Sequence, residues 1–202
     1  SDVYFLKTLP KREIVCGYGE ILKHSLIADK TFFKFLNENI SNILNLKTPF
    51  IEKAIYKSCR IKKQVVEKDE KEKNIRKILN FGHTFAHAYE ASLGYTTKLN
   101  HGEAVILGIC TALKFSNKNN FINNNEYQMI IDHIKKSKLP YNLRGYFSLK
   151  HLNKIISFML KDKKNYSDDI NLILLKKIGK PILNKIFTKS KIKLFMKKEL
   201  RN

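Results

Sequence analysis

Apolar residues recur at helical spacing in one segment after another of this 202-residue chain, and this periodicity constrains the fold more than any other feature. In the segment 31–44 the apolar positions are Phe32, Phe35, Leu36, Ile40, Ile43 and Leu44. Such a pattern places the apolar side chains on one face of a helix, which must be buried against a neighbour. Similar patterns predict helices over residues 49–67, 76–93, 102–115, 125–136 and 152–160. The chain is therefore expected to be mainly α-helical.

The two ends of the chain carry different signals. Pro10 and the charged residues after it suit the first turn of a helix that runs to Ser25, with a turn expected at Gly17-Tyr18-Gly19 on the way. Near the C-terminus, the apolar segment 170–178 and the Gly-Lys-Pro turn behind it predict a strand in a short β-hairpin. Because the chain has no fixed-period repeat and no long linker, we expect residues 1–202 to form one domain.

The chain is strongly basic, with 39 lysines and arginines against 18 acidic residues and a net charge of +21. A basic chain attracts nucleic acids and anionic small molecules. Only five of these basic residues are arginines, and the lysines are scattered along the chain instead of forming a patch. Arginine is the preferred residue for reading grooves and phosphates. Nucleic-acid binding is therefore disfavoured, whereas an anionic substrate stays compatible with the charge.

Composition also bears on other protein classes. A hydrophobic share of 43% is near the globular average and excludes a disordered, collagen-like or disulfide-scaffold chain. No apolar stretch approaches the roughly 20 residues of a membrane-spanning helix. The three cysteines are odd in number and far apart, which favours a reducing cytoplasm over a disulfide framework. The chain begins with Ser1 and shows no secretory signal, so we expect a cytoplasmic piece of a longer protein.

A polar stripe marks the predicted helix over 76–93. Steps of four and three residues connect Arg76, Asn80, His83, His87 and Glu90, which would share one narrow face of a continuous helix. Most of the remaining positions are apolar, so the stripe would lie between packed surfaces. Polar groups enclosed in this way must be paired, bound to a ligand or exposed in a cleft. The stripe therefore predicts a functional site.

Histidine and carboxylate side chains suggest a metal at this site. Catalytic zinc takes three protein ligands and leaves one position open for water or substrate. His83, together with His101 at the start of the next helix, would supply two of them, and His87 could replace either. The third ligand would be one of the carboxylates of Glu20, Glu90 and Glu103. A zinc protease is excluded because Thr84 stands where its motif requires glutamate.

Longer motifs add a family resemblance. In order, the chain contains Glu20-Ile-Leu-Lys23-His24, Lys62-Lys-Gln-Val-Val66 with Asp69-Glu70, Arg76-Lys-Ile-Leu-Asn80-Phe-Gly-His83-Thr-Phe-Ala-His87-Ala-Tyr-Glu90, and Leu99-Asn-His101-Gly-Glu-Ala-Val105. Their sequence, order and gaps resemble 3-dehydroquinate synthase, over nearly the whole chain. The resemblance implies the helical C-terminal domain of that fold, with residues 1–10 as the end of the link from an NAD-binding α/β domain that is absent from this chain.

The resemblance also implies the roles of individual residues. A Zn²⁺ or Co²⁺ ion would be held by the residues that match the family's ligands, namely Glu20, His83 and His101. Substrate would be contacted by Lys23, Lys62, Arg76, Asn80 and His87, and by Lys163 or its neighbour Lys164. The last stretch of the NAD contact would be formed by Phe5, Leu6, Lys7 and Thr8.

The reaction implied is the conversion of 3-deoxy-D-arabino-heptulosonate 7-phosphate to 3-dehydroquinate and phosphate, in the shikimate pathway to chorismate and the aromatic amino acids. NAD would oxidise an alcohol and later return the hydride, while the metal polarises the oxygen concerned. The implied partners are an anionic sugar acid phosphate, the absent NAD-binding domain and a second subunit of a homodimer. Because most NAD contacts lie in the absent domain, this chain is expected to be inactive alone.

Two other functions stay open at this point. The closer one is another sugar phosphate cyclase or a related metal-dependent alcohol dehydrogenase, which substrate profiling of a complete protein would separate. The more distant one is a basic module that binds nucleic acid and has lost its enzymatic function, and its binding would depend steeply on salt.

Overall fold

The structure is a computed structural model that describes residues 3–161 and 169–201. Within these ranges the α-helices are α1 (Lys11–Ala28), α2 (Lys30–Leu44), α3 (Phe50–Lys68), α4 (His83–Ser92), α5 (His101–Lys118), α6 (Asn124–Lys136), α7 (Leu152–Leu160) and α8 (Lys189–Arg201). The strands are β1 (Asp169–Lys177) and β2 (Lys180–Thr188), and short 3-10 helices cover Val3–Thr8, Ile75–Asn80, Leu143–Gly145 and Leu149–His151. The predicted mainly α fold with a C-terminal hairpin is confirmed.

Helix α5 lies at the centre of the fold. Its residues 102–113 are all buried, as expected for a helix that is apolar on every side. It packs against α1, α4, α6 and β1. Because α1 and α4 both touch α5, side chains from the middle of α1 can meet those at the N-terminal ends of α4 and α5. Glu20 lies in the middle of α1, and His83 and His101 are the first residues of α4 and α5.

The turn predicted at Gly17-Tyr18-Gly19 is wrong, because these residues lie inside the continuous helix α1. Gly19 instead permits close packing: a Cβ there would lie 3.0 Å from the carbonyl oxygen of Gly102 on α5. Tyr18 is buried, and its hydroxyl is 2.8 Å from Nε2 of His133 on α6. Gly19 therefore marks a helix contact, which local sequence cannot distinguish from a turn.

The single helix predicted over 76–93 is also wrong. The chain forms a 3-10 helix over Ile75–Asn80, breaks at Phe81 and Gly82, and restarts as α4. Gly82 has a φ of 81°, which favours glycine, and a Cβ there would lie 2.8 Å from the backbone nitrogen of Ile109. The break lets α4 approach α5 closely. The polar stripe is therefore not one helical face, and its two halves belong to different elements.

The C-terminal part of the fold covers the other end of α5. The hairpin is antiparallel, with Asp169 opposite Thr188 and Lys177 opposite Lys180, and β1 packs against α5. Helix α8 was not predicted, although it buries an apolar face of Ile192, Phe195, Met196 and Leu200. Among the described helices, none has the length and apolar character needed to cross a membrane.

Candidate active site

Three potential metal ligands converge where α1, α4 and α5 meet. Glu20 projects from α1, while His83 and His101 are the first residues of α4 and α5. One ligand atom from each residue lies within 4.8 Å of those of the other two. This group contains the same three residues that the family resemblance implies.

In both histidines the ring nitrogen Nδ1 lies within hydrogen-bond distance of a protein oxygen. Nδ1 of His83 lies 3.3 Å from the carbonyl oxygen of Phe81, and Nδ1 of His101 lies 3.1 and 3.2 Å from the two carboxylate oxygens of Glu90. Carbonyl and carboxylate oxygens only accept hydrogen bonds, so each Nδ1 donates, and in the neutral ring Nε2 keeps its lone pair. Glu90, one of the candidate ligands, therefore orients His101 in this structure.

Protonation of these histidines follows from their surroundings. Burial, and the charge of Lys23, lower the pKa of His83 to about 3, so its ring is neutral near neutral pH. Neutral imidazole is the form that binds a metal. The hydrogen bond to Glu90 raises the pKa of the more exposed His101. A carboxylate behind a histidine also increases its basicity as a ligand.

Glu20 shows that a cation fits this point. Its Oε2 accepts a hydrogen bond from Nζ of Lys23 at 2.7 Å, whereas its buried Oε1 has no hydrogen-bond partner among the described residues. The nearest ring nitrogen, Nε2 of His83, lies 3.8 Å from Oε1 and carries a lone pair instead of a proton. A buried oxygen without a donor is costly. Two imidazole nitrogens and a carboxylate oxygen match the donor set of catalytic zinc.

Lys23 is almost completely buried beside Glu20. Burial lowers the pKa of Lys23, and the nearby carboxylate partly offsets this effect. Burial raises the pKa of Glu20, but the charge and hydrogen bond of Lys23 outweigh it, so the pKa lies below its usual value. The carboxylate therefore stays ionised, as a metal ligand must be.

Glycines bring the helices of the three ligands together. A Cβ on Gly102, next to His101, would lie 2.6 Å from the carbonyl carbon of Cys16 on α1. A Cβ on Gly108 of α5 would overlap the carbonyl oxygen of Gly82, next to His83. Helix α1 and the residue before α4 thus touch α5 through backbone atoms, close to the candidate ligands. These close approaches limit how far apart the three candidate ligands can lie.

The predicted substrate-binding residues Lys23, Lys62 and His87 lie around this cluster. The positive charge of the exposed Lys62 further lowers the pKa of Lys23. The exposed ring of His87 lies one turn beyond His83, with centroids 5.4 Å from that ring and 6.2 Å from the ring of His101. Cations and hydrogen-bond donors around the candidate metal ligands would suit an anionic ligand.

Arg76 and Asn80 are held in a separate hydrogen-bonded loop before α4. Their 3-10 helix packs against α3 and α1. Nη1 of Arg76 donates to the carbonyl oxygen of Glu70 at 2.6 Å, and Nδ2 of Asn80 donates to Oε1 of Glu72 at 2.6 Å. Both side chains are therefore oriented by the loop that precedes them.

Asp69 organises this loop, a role that sequence reasoning did not assign. Its carboxylate accepts backbone N–H groups at 2.7 to 3.0 Å from Lys73, Asn74 and Arg76. Desolvation raises the pKa of Asp69, but these hydrogen bonds outweigh it and hold the pKa below its usual value. An aspartate just after a helix end is a weak signal, since such residues bind local backbone groups in many turns.

The remaining candidates are the predicted substrate-binding lysine and the N-terminal residues assigned to NAD. Lys163 and Lys164 are outside the described residues. Phe5, Leu6, Lys7 and Thr8 form part of the 3-10 helix Val3–Thr8, which has no buried residue. Leu6 lines an apolar cavity of about 250 Å³ whose wall also includes Glu20. Leu6 therefore shares a cavity with one of the three candidate ligands, whereas His83 and His101 do not line it.

Sequence comparison identifies relatives over most of the chain. A family model described as 3-dehydroquinate synthase C-terminal matches residues 17–165. The 3-dehydroquinate synthase of Pelagibacter ubique is 60% identical over 200 residues, which are 99% of this chain and 54% of the relative. That of Alkaliphilus metalliredigens is 40% identical over 173 residues, covering 86% of this chain and 47% of the relative. The chain thus spans about half the length of these curated relatives.

Solved structures share the fold. A 2-deoxy-scyllo-inosose synthase complexed with carbaglucose-6-phosphate, NAD⁺ and Co²⁺ aligns with a TM-score of 0.81 and 26% identity, covering 98% of this chain and 55% of its own. A 2-epi-5-epi-valiolone synthase from Streptomyces hygroscopicus, with NAD⁺ and Zn²⁺ bound, aligns with a TM-score of 0.82 and 20% identity. The alignment covers 98% of this chain and 54% of that synthase. Because the family model matches most of its length, this chain belongs to the 3-dehydroquinate synthase C-terminal family.

Proposed function

We propose that residues 1–202 are the metal-binding C-terminal domain of a 3-dehydroquinate synthase, which converts 3-deoxy-D-arabino-heptulosonate 7-phosphate to 3-dehydroquinate and phosphate. The observation that carries the proposal is the convergence of Glu20, His83 and His101, with a buried carboxylate oxygen of Glu20 that has no hydrogen-bond donor in the described part of the chain. The name of the relative with 60% identity supports this reaction.

The proposed metal is Zn²⁺ or Co²⁺, held by Glu20 and by Nε2 of His83 and His101. When bound, it would act as a Lewis acid on a substrate oxygen. Glu90 holds the Nδ1 proton of His101, and Lys23 keeps the carboxylate of Glu20 ionised and oriented. These neighbours leave the ligand atoms free for the ion.

The substrate would bind beside this cluster through several cationic and polar groups. A sugar acid phosphate carries a carboxylate and a phosphate, and such groups need charged hydrogen-bond donors. We assign this role to Lys23, Lys62, Arg76, Asn80 and His87, with Lys163 or Lys164 as a further candidate. The loop held by Asp69 would keep Arg76 and Asn80 in place for it.

NAD binding and turnover would require the portion of the complete protein that this chain does not span. We assign Phe5, Leu6, Lys7 and Thr8 to the edge of the NAD site, since Leu6 and Glu20 line the same cavity. On this proposal the chain binds metal, shows no turnover alone, and functions in a cytoplasmic homodimer of the complete enzyme.

Elemental analysis of the purified chain tests the metal site. We expect about one zinc per chain, and a large loss of zinc in Glu20→Ala and His83→Ala. His151→Ala and Glu67→Ala change the same residue types outside the cluster and should keep the zinc. If the parent holds no zinc, the measurement is repeated with the NAD-binding portion added. Absence of zinc in that complex too would contradict the proposal.

A second candidate is a related sugar phosphate cyclase, because the similar solved structures are cyclases with other products. The higher identity to named 3-dehydroquinate synthases favours the first proposal. Turnover of a complete protein with 3-deoxy-D-arabino-heptulosonate 7-phosphate and with glucose 6-phosphate would separate the two. Activity with the first substrate alone would support 3-dehydroquinate synthase.

A further inference from the structure

Arg12, in the first turn of α1, bridges two segments that are far apart in sequence. Its Nε and Nη2 donate to Oε1 and Oε2 of Glu103 at 2.8 and 2.6 Å. Its Nη1 and Nη2 also donate to the carbonyl oxygens of Thr97 and Lys98, at 2.7 and 3.2 Å. A two-pronged arginine–carboxylate pair fixes orientation as well as distance. Arg12 therefore holds the segment before α5 against the start of α1.

Glu103 closes this arrangement at the start of α5. Its Oε2 accepts the backbone N–H of Asn100 at 2.9 Å, which completes a capping box. The side chain of Asn100 in turn donates to Oε1 of Glu13 on α1 at 2.8 Å. The carboxylate is well shielded, with 11% of the side chain exposed. Residues on both sides of His101 are thus fixed to the N-terminal part of α1.

His101 itself has little support from its own side chain. It is 54% exposed, and its hydrogen bonds among the described residues are those to Glu90. It is also the first residue of α5, where a helix readily frays without a cap. Its position relative to Glu20 therefore depends on the backbone that carries it, which Arg12 and Glu103 hold.

We propose that Arg12 and Glu103 are positioning residues for the metal ligand His101, an inference that rests on the metal site of the proposed function. Helix α1 then has two tasks, since it carries the ligand Glu20 and clamps the segment that carries His101. Loss of the ion pair between Arg12 and Glu103, called the clamp below, would widen the range of His101 positions and weaken metal binding. Neither residue would touch the metal.

A matched ion pair in the same fold separates this role from general stabilisation. Glu199 on α8 is bound by Lys114 and Lys118 of α5, at 3.0 and 2.6 Å. Its side chain is 11% exposed, the same fraction as that of Glu103. Both lysines lie near the end of α5 opposite His101. Glu199→Gln should therefore destabilise the fold without disturbing the ligand cluster.

The test is a Co²⁺ titration of the metal-free 202-residue chain, in which the visible absorption of the bound ion measures binding. We expect Arg12→Met and Glu103→Gln to bind Co²⁺ about 10-fold more weakly than the parent, with an altered spectrum. Arg12→Lys keeps the charge but loses the planar fork, so it should lie between parent and Arg12→Met. Glu199→Gln should bind Co²⁺ as the parent does. Urea unfolding in EDTA identifies any variant that does not fold.

The outcomes distinguish this inference from the proposed function. If the parent binds Co²⁺ and both clamp variants bind it equally well with the same spectrum, the positioning role is wrong while the metal site stands. If the affinity falls equally in Glu199→Gln, the effect is general stability and the inference is also overturned. If neither the parent nor its complex with the NAD-binding portion binds Co²⁺, the proposed function fails, and the inference with it.

Discussion

Gly102 should be the position at which one methyl group does most damage to the ligand cluster. It is the second residue of α5 and follows His101 directly, and its Cα faces Cys16, one turn before Glu20 on α1. A Cβ in Gly102→Ala would lie 2.6 Å from the carbonyl carbon of Cys16. That atom belongs to the backbone, so no side-chain rotation can relieve the overlap. The two helices must move apart.

The required movement can be estimated from the contact. Non-bonded carbon atoms settle at about 3.5 Å or more, so α1 and α5 must separate by roughly 1 Å at this point. Metal–ligand distances tolerate only about 0.2 Å of change. Glu20 and His101 lie on the two separating helices, so one of the three bonds would be lost or badly strained. We expect at least about 100-fold weaker Co²⁺ binding, and roughly 1–3 kcal/mol lower stability from overpacking.

The assay combines Co²⁺ titration of the purified chain with urea unfolding in EDTA. Gly17→Ala is the matched control, because a Cβ at that position of α1 meets nothing within 4 Å. It should leave Co²⁺ binding unchanged and stabilise the helix by roughly 0.5–1 kcal/mol. If Gly102→Ala bound Co²⁺ as tightly as the parent, the close approach of α1 and α5 would not set the ligand distances, and the reasoning would be refuted.

Three further predictions concern buried polar groups and can be measured by urea unfolding. In the metal-free chain, Glu20→Gln should cost roughly 3 kcal/mol, because it leaves the buried ammonium group of Lys23 without its carboxylate. Burial lowers the pKa of His133 to about 4, whereas the pKa of a histidine in the unfolded chain is about 6.5. The folded state therefore keeps its full stability above about pH 6.5 and loses stability as the pH falls from there toward about 4. At about pH 5 this histidine should account for a loss of roughly 2 kcal/mol that His133→Gln lacks. Tyr18→Phe should cost about 2 kcal/mol, since it leaves the buried Nε2 of His133 without a donor.

Each of these predictions has its own control. Lys23→Met should cost less than Glu20→Gln, because the partly exposed Glu20 can be solvated; the reverse order would contradict the argument. An equal loss of stability between neutral and acid pH in His133→Gln and the parent would show that His133 is not responsible. Tyr56→Phe, at an exposed position of α3, should be neutral, and a neutral Tyr18→Phe would rule out the buried hydrogen bond as a source of stability.

Local sequence pattern is sufficient to predict most of the helices. The helices α2, α3, α5, α6 and α7 were predicted to within a few residues, because an apolar face at helical spacing is recorded in the sequence itself. The single helix predicted over 76–93 is wrong because the helical spacing of apolar residues continues through Gly82, where the helix is interrupted and α4 packs on α5. The turn predicted at Gly17-Tyr18-Gly19 is wrong in the opposite sense, since Gly19, which permits close packing on α5, looks in the sequence like a glycine in a turn.

The candidate ligands illustrate a second limit. From spacing and chemistry, the carboxylate partner of the histidines was Glu20, Glu90 or Glu103, and only the family resemblance selected Glu20. In the structure Glu90 accepts a hydrogen bond from Nδ1 of His101, and Glu103 is bound by Arg12. Glu20 is therefore the carboxylate that joins the two histidines in the candidate metal site. Spacing within a helix could not have shown this, because Glu20 is more than 60 residues from His83 in sequence.

The amino-acid sequence by itself determined the helical class of this chain, its C-terminal hairpin and the residue types of its candidate metal site, because these depend on local periodicity and on side-chain donors. The family resemblance points to Glu20, His83 and His101, but only the tertiary structure shows that these donors meet and which groups surround them. Their meeting involves close backbone contacts at Gly102 and Gly108 and, on our proposal, the ion pair between Arg12 and Glu103. Such contacts join residues far apart in the chain, so their free energies appear only once the helices have packed.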